Sequence, residues 1–256
     1  HSSKALGFTA GFTGEALENM LKEFGCDTAF IRLPEGSTRI NVKINAGEET
    51  EINGQGPVIT EEAQQALFEQ LDALKKEDIL VLAGSIPNTL PSDIYERILE
   101  HLQGRGIHFV VDATKELLLK VLKYHPFLIK PNNHELGEMF GVTLKTRDEI
   151  VTYAKKLQEM GAENVLVSMA GDGAILLTED GIIYKAKPPK GKVLNSVGAG
   201  DSMVAGFLTG YLNTGEYEKA FRLGVVTGSA TAFQYWLATK EDIVALMEDK
   251  PETYGL

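Results

Sequence analysis

Four short apolar runs punctuate the chain, and each ends on polar residues. Ile79-Leu80-Val81-Leu82-Ala83 runs into Gly84-Ser85, and Ile107-His108-Phe109-Val110-Val111 into Asp112. Phe127-Leu128-Ile129 runs into Lys130-Pro131-Asn132, and Val165-Leu166-Val167 into Ser168. Continuous rather than alternating hydrophobicity marks strands covered on both faces. Amphipathic stretches with helix-start signals lie between them. Thr60, followed by Glu61 and Glu62, predicts a helix to about Lys75, and Ser92 predicts one to about Gln103. Thr146-Arg147-Asp148-Glu149 is a capping-box pattern leading into residues 150–160. The alternation predicts an α/β fold, a mostly parallel sheet with helices on both faces. Ligands in such sheets bind beyond the carboxyl ends of strands, so the polar residues ending the runs are candidate site residues. Asp112 is read instead as a strand-end residue capping the following turn.

Two places break the alternation. Residues 174–177 and 182–184, joined across Glu179-Asp180-Gly181, predict a hairpin within the core. Residues 27–55 are strand-like throughout. Thr38-Arg39-Ile40-Asn41-Val42-Lys43-Ile44 alternates in period two, which places Arg39, Asn41 and Lys43 on one face, and Glu49-Thr50-Glu51-Ile52-Asn53 follows a glycine turn. A small separate sheet over 27–55 is therefore expected, with residues 1–26 and 56–256 forming the core. Phe30, Ile40, Val42 and Ile44 would give that sheet an apolar face, and its open edges invite a second copy of the chain, so a homodimer is expected.

The chemistry concentrates in Asn195-Ser196-Val197-Gly198-Ala199-Gly200-Asp201-Ser202, followed directly by Met203-Val204-Ala205-Gly206-Phe207-Leu208. A glycine-rich turn opening a helix leaves first-turn N–H groups unpaired, and the helix dipole makes the place suitable for a phosphate. A carboxylate beside an anion site fits a base that takes the proton from an attacking hydroxyl, which is phosphoryl transfer. The same residues also read as a tight turn with a helix-start acid. Likewise Asn132 and Glu135 have the spacing of a helix N-cap with its capping-box partner, and equally of an oxygen-donor pair for magnesium. Arg39 can grip a phosphate through two parallel hydrogen bonds or stand as a solvated strand charge.

The octapeptide closely resembles the second signature of the phosphofructokinase-B sugar kinases, in the ribokinase-like superfamily, and similarity runs from about residue 5 to 247. The resemblance implies a ribokinase-like three-layer αβα core with a small β-sheet lid over the sugar, often doubling as a dimer clasp. It implies Asp201 as catalytic base and Gly198, Ala199 and Gly200 as the anion hole, with ATP and Mg2+ as cofactors. Asn132 and Glu135 match the family element that meets magnesium and phosphate, largely through water. Lys130, Ser168, Gly173 and Ser196 would face the nucleotide, along with Gly198 and Gly200. Arg39 would hold the phosphate already on the sugar, and Asn41 and Lys43, alternating onto its face, would extend a polar surface above the sugar. In Ser168-Met169-Ala170-Gly171-Asp172-Gly173, Ala170 replaces the first glycine of the family's loop. Thr38-Arg39-Ile40-Asn41-Val42-Lys43 and Glu51-Ile52-Asn53-Gly54-Gln55-Gly56-Pro57 look most like the 1-phosphofructokinase branch, which acts on fructose 1-phosphate. Tagatose-6-phosphate kinases are the close rival, and a non-catalytic sugar-phosphate or nucleotide sensor is the alternative from another class.

The family's first signature, a Gly-Gly-Lys-Gly type string, has no counterpart here, so the sugar-binding residues of that region have none to name. Either a further piece precedes His1 or the form is truncated. Gln234-Tyr235-Trp236 departs from the small or polar residues usual near the adenine.

Composition narrows the field further. Lys and Arg total 25 against 36 Asp and Glu, a formal charge of −11, which argues against a nucleic-acid surface. Cys26 is the sole cysteine, so no intrachain disulfide forms. With no apolar run of about 18 residues and no signal-like start, no membrane partner is expected and a cytoplasmic location is.

Overall fold

Each of the four apolar runs is a strand, and all four lie side by side in one six-stranded sheet. The computed structural model describes residues 2–45, 49–248 and 254. It divides into two units, His1–Asp78 with Ser85–Ile107, and Ile79–Gly84 with His108–Leu256.

The first unit contains β1 (Lys4–Ala5), β2 (Phe8–Ala10), α1 (Gly11–Glu23), β3 (Asp27–Thr28), β4 (Ile31–Leu33), β5 (Asn41–Asn45), β6 (Glu49–Asn53), α2 (Glu61–Leu71) and α3 (Ile94–Leu102). Here the structure corrects the expected sheet over 27–55. β3 pairs in parallel with β1, and β4 with β2, with α1 as the crossover. Only β5 and β6 form a separate two-stranded antiparallel ribbon. Phe30 accordingly sits against Gly7 rather than on the ribbon's apolar face, which Val42, Ile44 and Ile52 supply. The glycine turn expected at 46–48 lies outside the described residues.

Ala10, Leu33, Ile59 and Ala63 form this unit's core, flanked by Phe8, Ile31 and Leu90. Beside it, Arg32 grips Glu18 through Nε at 3.2 Å and Nη2 at 3.0 Å, and the Thr9 hydroxyl donates to the same carboxylate at 2.8 Å. Those hydrogen bonds hold the Glu18 carboxyl below its ordinary range. Thr60 caps α2 by accepting the Ala63 N–H, as its position predicts. The helix ends at Leu71 rather than Lys75, because tight turns follow and Lys75 N–H is taken by the Asp78 carboxylate at 2.7 Å.

The second unit contains β7 (Ile79–Ala83), β8 (His108–Asp112), α4 (Lys115–Val121), β9 (Leu128–Ile129), α5 (Asn133–Met139), α6 (Arg147–Glu159), β10 (Asn164–Ser168), β11 (Ala174–Leu177), β12 (Ile183–Ala186), α7 (Ala199–Thr214), α8 (Tyr217–Ala232) and α9 (Lys240–Leu246). The sheet order is β12-β11-β10-β9-β8-β7. The four strands from β7 to β10 are parallel, and β11 and β12 add the predicted antiparallel hairpin.

Register sorts the side chains. Val110, Leu128, Leu166, Ala174 and Leu176 share one face and pack with Val204 and Phe207 of α7 and Phe221 and Val225 of α8. Val111, Ile129, Val165, Val167, Ile175 and Leu177 point the other way, where α5 and α6 pack on β10. All eleven strand residues are fully buried, which is why the runs read as continuous. This is the three-layer α/β fold expected, with the small ribbon in the other unit.

Candidate active site

The second unit gathers its polar strand ends around the start of α7. Gly198 is the N-cap, at φ 78°, a left-handed backbone that favours glycine. A Cβ there would also stand 2.7 Å from Leu237 Cδ2. The turn is stapled to its surroundings: Val197 N–H donates to Asn195 Oδ1 at 3.1 Å, Asn195 Nδ2 to the Tyr235 carbonyl at 3.1 Å, and Leu194 N–H to the Ala232 carbonyl at 2.9 Å.

The sequence expectation that Gly198, Ala199 and Gly200 all offer N–H groups needs one correction. Ala199 N–H turns back onto the Ser196 carbonyl at 3.2 Å, because the first turn tightens. Ser202 N–H already serves the Gly198 carbonyl at 2.8 Å. The N–H groups of Gly198, Gly200 and Asp201 have no acceptor among the described residues. Ser196 itself is exposed and contributes its carbonyl to the turn. Asp201 is exposed on the first turn of the helix.

Helix α7 is held in place from behind by α8. A Cβ on Gly206 would lie 2.5 Å from Thr227 Oγ1, and one on Gly210 2.7 Å from Ala220 Cα. On α8, a Cβ on Gly224 would lie 2.9 Å from the Met203 carbonyl, and one on Gly228 2.9 Å from the Ala199 carbonyl. Glycines four apart on both helices thus let the backbones touch. The last of these contacts is at Ala199, the first residue of α7. The Thr231 hydroxyl, fully buried, adds a bond to Ser202 Oγ at 2.8 Å.

Lys130, at the end of β9, is buried, and its ammonium meets Asp112 Oδ2 at 3.3 Å. This overturns the reading of Asp112 as a turn cap: its carboxylate pairs with a cation. Burial pushes the Asp112 carboxyl above the ordinary range. Lys130 pulls it back, while the negative charges of Asp201 and Glu135 push it further up. Those influences put Asp112, Lys130, Glu135 and Asp201 in one neighbourhood. What the sequence lacks is the adjacency of β8 and β9, which sets Val111 beside Ile129 and so Asp112 beside Lys130.

Asn132 and Glu135 form a complete capping box. Glu135 N–H donates to Asn132 Oδ1, and Asn132 N–H to Glu135 Oε2, both at 2.8 Å. One carboxylate oxygen of Glu135 is left outside the box. Asn132 also bridges to Ser168, which brings the end of β10 beside this corner. In the loop after Ser168, Ala170 has φ 47°, so alanine sits where the backbone favours glycine. Gly173 is needed for packing, since a Cβ would lie 2.0 Å from the Ala186 carbonyl. Among the described residues no group of three or more His, Cys, Asp or Glu could hold a metal ion.

Arg39, Asn41 and Lys43 belong to the first unit. The shared strand face expected for them is corrected: β5 begins at Asn41, so Arg39 precedes the strand. The reason lies in Thr38, whose N–H donates to the Ala10 carbonyl at 2.9 Å and whose Oγ1 accepts from Ala10 N–H at 2.9 Å. Its carbonyl accepts from Thr13 Oγ1 at 2.8 Å. These bonds pull the segment onto the start of α1. The Arg39 guanidinium is exposed and donates from Nη2 to Ser85 Oγ at 3.3 Å.

Comparison with known proteins fits this geometry. The family model described as "pfkB family carbohydrate kinase" matches residues 1–241. The chain is 54% identical to 1-phosphofructokinase of Bacillus subtilis (strain 168), covering 97% of this chain and 81% of that protein. It is 37% identical to D-tagatose-1-phosphate kinase of Bacillus licheniformis, covering 90% of this chain and 75% of that one. The solved phosphofructokinase-2 from Escherichia coli, in complex with substrates and products, superposes with a TM-score of 0.89 at 27% identity, covering 96% of this chain and 81% of the other.

Proposed function

This chain belongs to the pfkB family of carbohydrate kinases and is a sugar-phosphate kinase, and we propose that it transfers the γ-phosphoryl group of ATP to fructose 1-phosphate, giving fructose 1,6-bisphosphate. The observation that carries the reading is the first turn of α7. There three free N–H groups, the buried Lys130 ammonium and the exposed Asp201 carboxylate share one neighbourhood.

Asp201 takes the proton of the acceptor's primary hydroxyl as that oxygen attacks phosphorus in line, and the bond to the leaving diphosphate breaks. The N–H groups of Gly198, Gly200 and Asp201 stabilise the charge on the transferring group, helped by the dipole of α7. Gly198 shapes the turn, and Ala199 closes it. Lys130 adds a fixed positive charge, while Ser168, Gly173 and Ser196 border the nucleotide. Asn132 and Glu135 are oxygen donors and fit magnesium, which they would hold through water; when bound it supplies neutralisation of the nucleotide phosphates. Arg39 receives the phosphate already on the sugar, and Asn41 and Lys43 face the sugar itself.

The same proposal includes a homodimer formed through the β5–β6 ribbon, whose Val42, Ile44 and Ile52 are exposed on one face. No helix among the described residues is long and apolar enough to cross a membrane.

Coupled ATP turnover against a panel of sugar phosphates tests the reading. Fructose 1-phosphate is expected to give the highest kcat/KM. Preference for a tagatose phosphate would move the chain to the neighbouring branch, for which the 37% identical tagatose kinase is the supporting observation. ATP binding without turnover of any sugar phosphate would leave a sensor.

A further inference from the structure

Lys130 is placed where lysines are almost never found without a partner: its side chain is 8% exposed at the end of a central strand. The partner follows from register. Val111 lies beside Ile129, so the next residues, Asp112 and Lys130, leave the sheet side by side and meet at 3.3 Å. Among the described residues Asp112 is the carboxylate paired with this ammonium.

The other side of the same nitrogen faces α7. A Cβ on Gly200 would stand 3.1 Å from Lys130 Nζ and 3.4 Å from Cε. The missing side chain at Gly200 is the space the ammonium occupies. Lys130 therefore spans from Asp112 to Gly200, whose N–H is one of the free donors at the start of α7.

Three carboxylates, Asp112, Glu135 and Asp201, act on this corner against one buried cation. A lysine stem has four rotatable bonds, so an ammonium without a fixed partner would be free to settle on either of the other acids. Pairing with Glu135 would draw the cation away from Gly200, and pairing with Asp201 would tie up the base. We propose that Asp112 is a positioning residue, anchoring Lys130 so that its ammonium stays beside the Gly200 N–H and meets the transferring phosphoryl group. The inference rests on the phosphoryl-transfer reading of the α7 turn.

A double-mutant cycle with Asp112→Asn and Lys130→Met in the full chain tests it. Each single variant is expected to lower kcat with ATP and fructose 1-phosphate by at least about tenfold, with the sugar-phosphate KM within about twofold. Because Asp112 acts through Lys130, the double variant should be no slower than Lys130→Met alone. Thermal melts supply a readout that separates position from structure. Each single variant leaves one buried charge unpaired and should melt lower, whereas the double variant removes both charges and should regain stability without regaining rate. Asp112→Glu, which keeps the anion, should recover more of kcat than Asp112→Asn.

A further loss of about tenfold in the double variant relative to Lys130→Met would overturn the proposal, because Asp112 would then act on the reacting groups itself. Full kcat in Asp112→Asn would overturn it too. Should Asp112→Asn not fold, the comparison of Lys130→Met with the double variant decides alone. The same cycle run on ATP affinity by calorimetry keeps the positioning claim testable if no sugar phosphate is turned over. Additive losses of affinity there would overturn positioning, while absent turnover in the wild type would overturn the function.

Discussion

Where α7 meets α8, four glycines leave no room for a methyl group, whereas on the β5–β6 ribbon Val42, Ile44 and Ile52 stand in solvent with Ile40 just before them. In the first region the chain's own neighbours dictate residue identity. Backbone atoms 2.7 to 2.9 Å from a would-be Cβ exclude anything larger than glycine at Gly210, Gly224 and Gly228. In the second region no neighbour among the described residues covers the apolar face. A two-stranded ribbon is marginal by itself in water, so apolar residues on its open face ask for something outside the chain. The contrast sets residues that hold the start of α7 in place against residues that, in the proposed homodimer, would meet a second copy of the chain. It can be broken or sharpened by substitution at each place.

The largest effect is expected at the start of α7. Asp201→Asn should lower kcat by roughly 10²- to 10⁴-fold, the usual worth of a general base. ATP affinity should change little, because the carboxylate acts on the acceptor's proton in the transition state. Coupled turnover and calorimetry on the same preparation check both halves. An Asn variant retaining more than about a tenth of the rate would remove Asp201 from the role of base.

On the ribbon, Val42→Asp puts a charge at the centre of the exposed apolar face, directly opposite Ile52. If that face is the dimer contact, an unpaired buried carboxylate should weaken association by about 100-fold or more while each subunit stays folded. Light scattering across a dilution series reads this. A monomeric wild type, or a variant that dimerises normally, would sink the assignment.

The two regions were not equally legible in the sequence. The strand ends 112, 130, 132 and 168 could be read because each closes a continuous apolar run, and fully buried strands write such runs. Their pairing could not be read, because the choice between Asp112 as turn cap and Asp112 as ion-pair partner depends on which strands are neighbours. β3 and β4 read as part of the ribbon in the sequence because strands of two and three residues show no period. Arg39 was placed in a strand because alternation continues through Thr38 and Ile40, yet three hydrogen bonds at Thr38 outweigh it. The glycines at 206, 210, 224 and 228 are visible as two pairs spaced by four. Their meaning appears only when the two helices are seen in contact.

Within the α7–α8 joint, Gly210→Ala balances two opposing effects. Replacing glycine inside a helix gains about 1 kcal/mol of helix propensity. The added methyl would lie 2.7 Å from Ala220 Cα and 3.2 Å from its nitrogen, both backbone atoms that cannot swing aside. Overpacking of this kind costs about 1–3 kcal/mol. A net loss of about 1 kcal/mol is expected, seen as a lower midpoint in urea with unchanged slope. A variant more stable than wild type would show that the helices can part without cost.

The smallest effect is the most discriminating for the ribbon side. Arg39→Lys keeps the positive charge but replaces a planar fork of donors by a single rotating ammonium. The backbone at this position is fixed independently of the side chain. Thr38 is tied to Ala10 and Thr13, and a Cβ on Gly54 would come within 3.2 Å of Arg39 Cβ, so the two segments run close together. The substitution should therefore alter the head group alone, without moving the chain that carries it. If the guanidinium grips the phosphate already on the sugar through two hydrogen bonds, losing one should raise the KM for fructose 1-phosphate by about five- to tenfold, close to 1 kcal/mol. The KM for ATP and the stability of the protein should stay where they were. Equal rises in both KM values would take Arg39 out of the acceptor's phosphate site. No change in either would reduce it to a solvated charge bonded to Ser85, and would leave Asn41 and Lys43 of β5 as the ribbon's proposed contacts with the sugar phosphate.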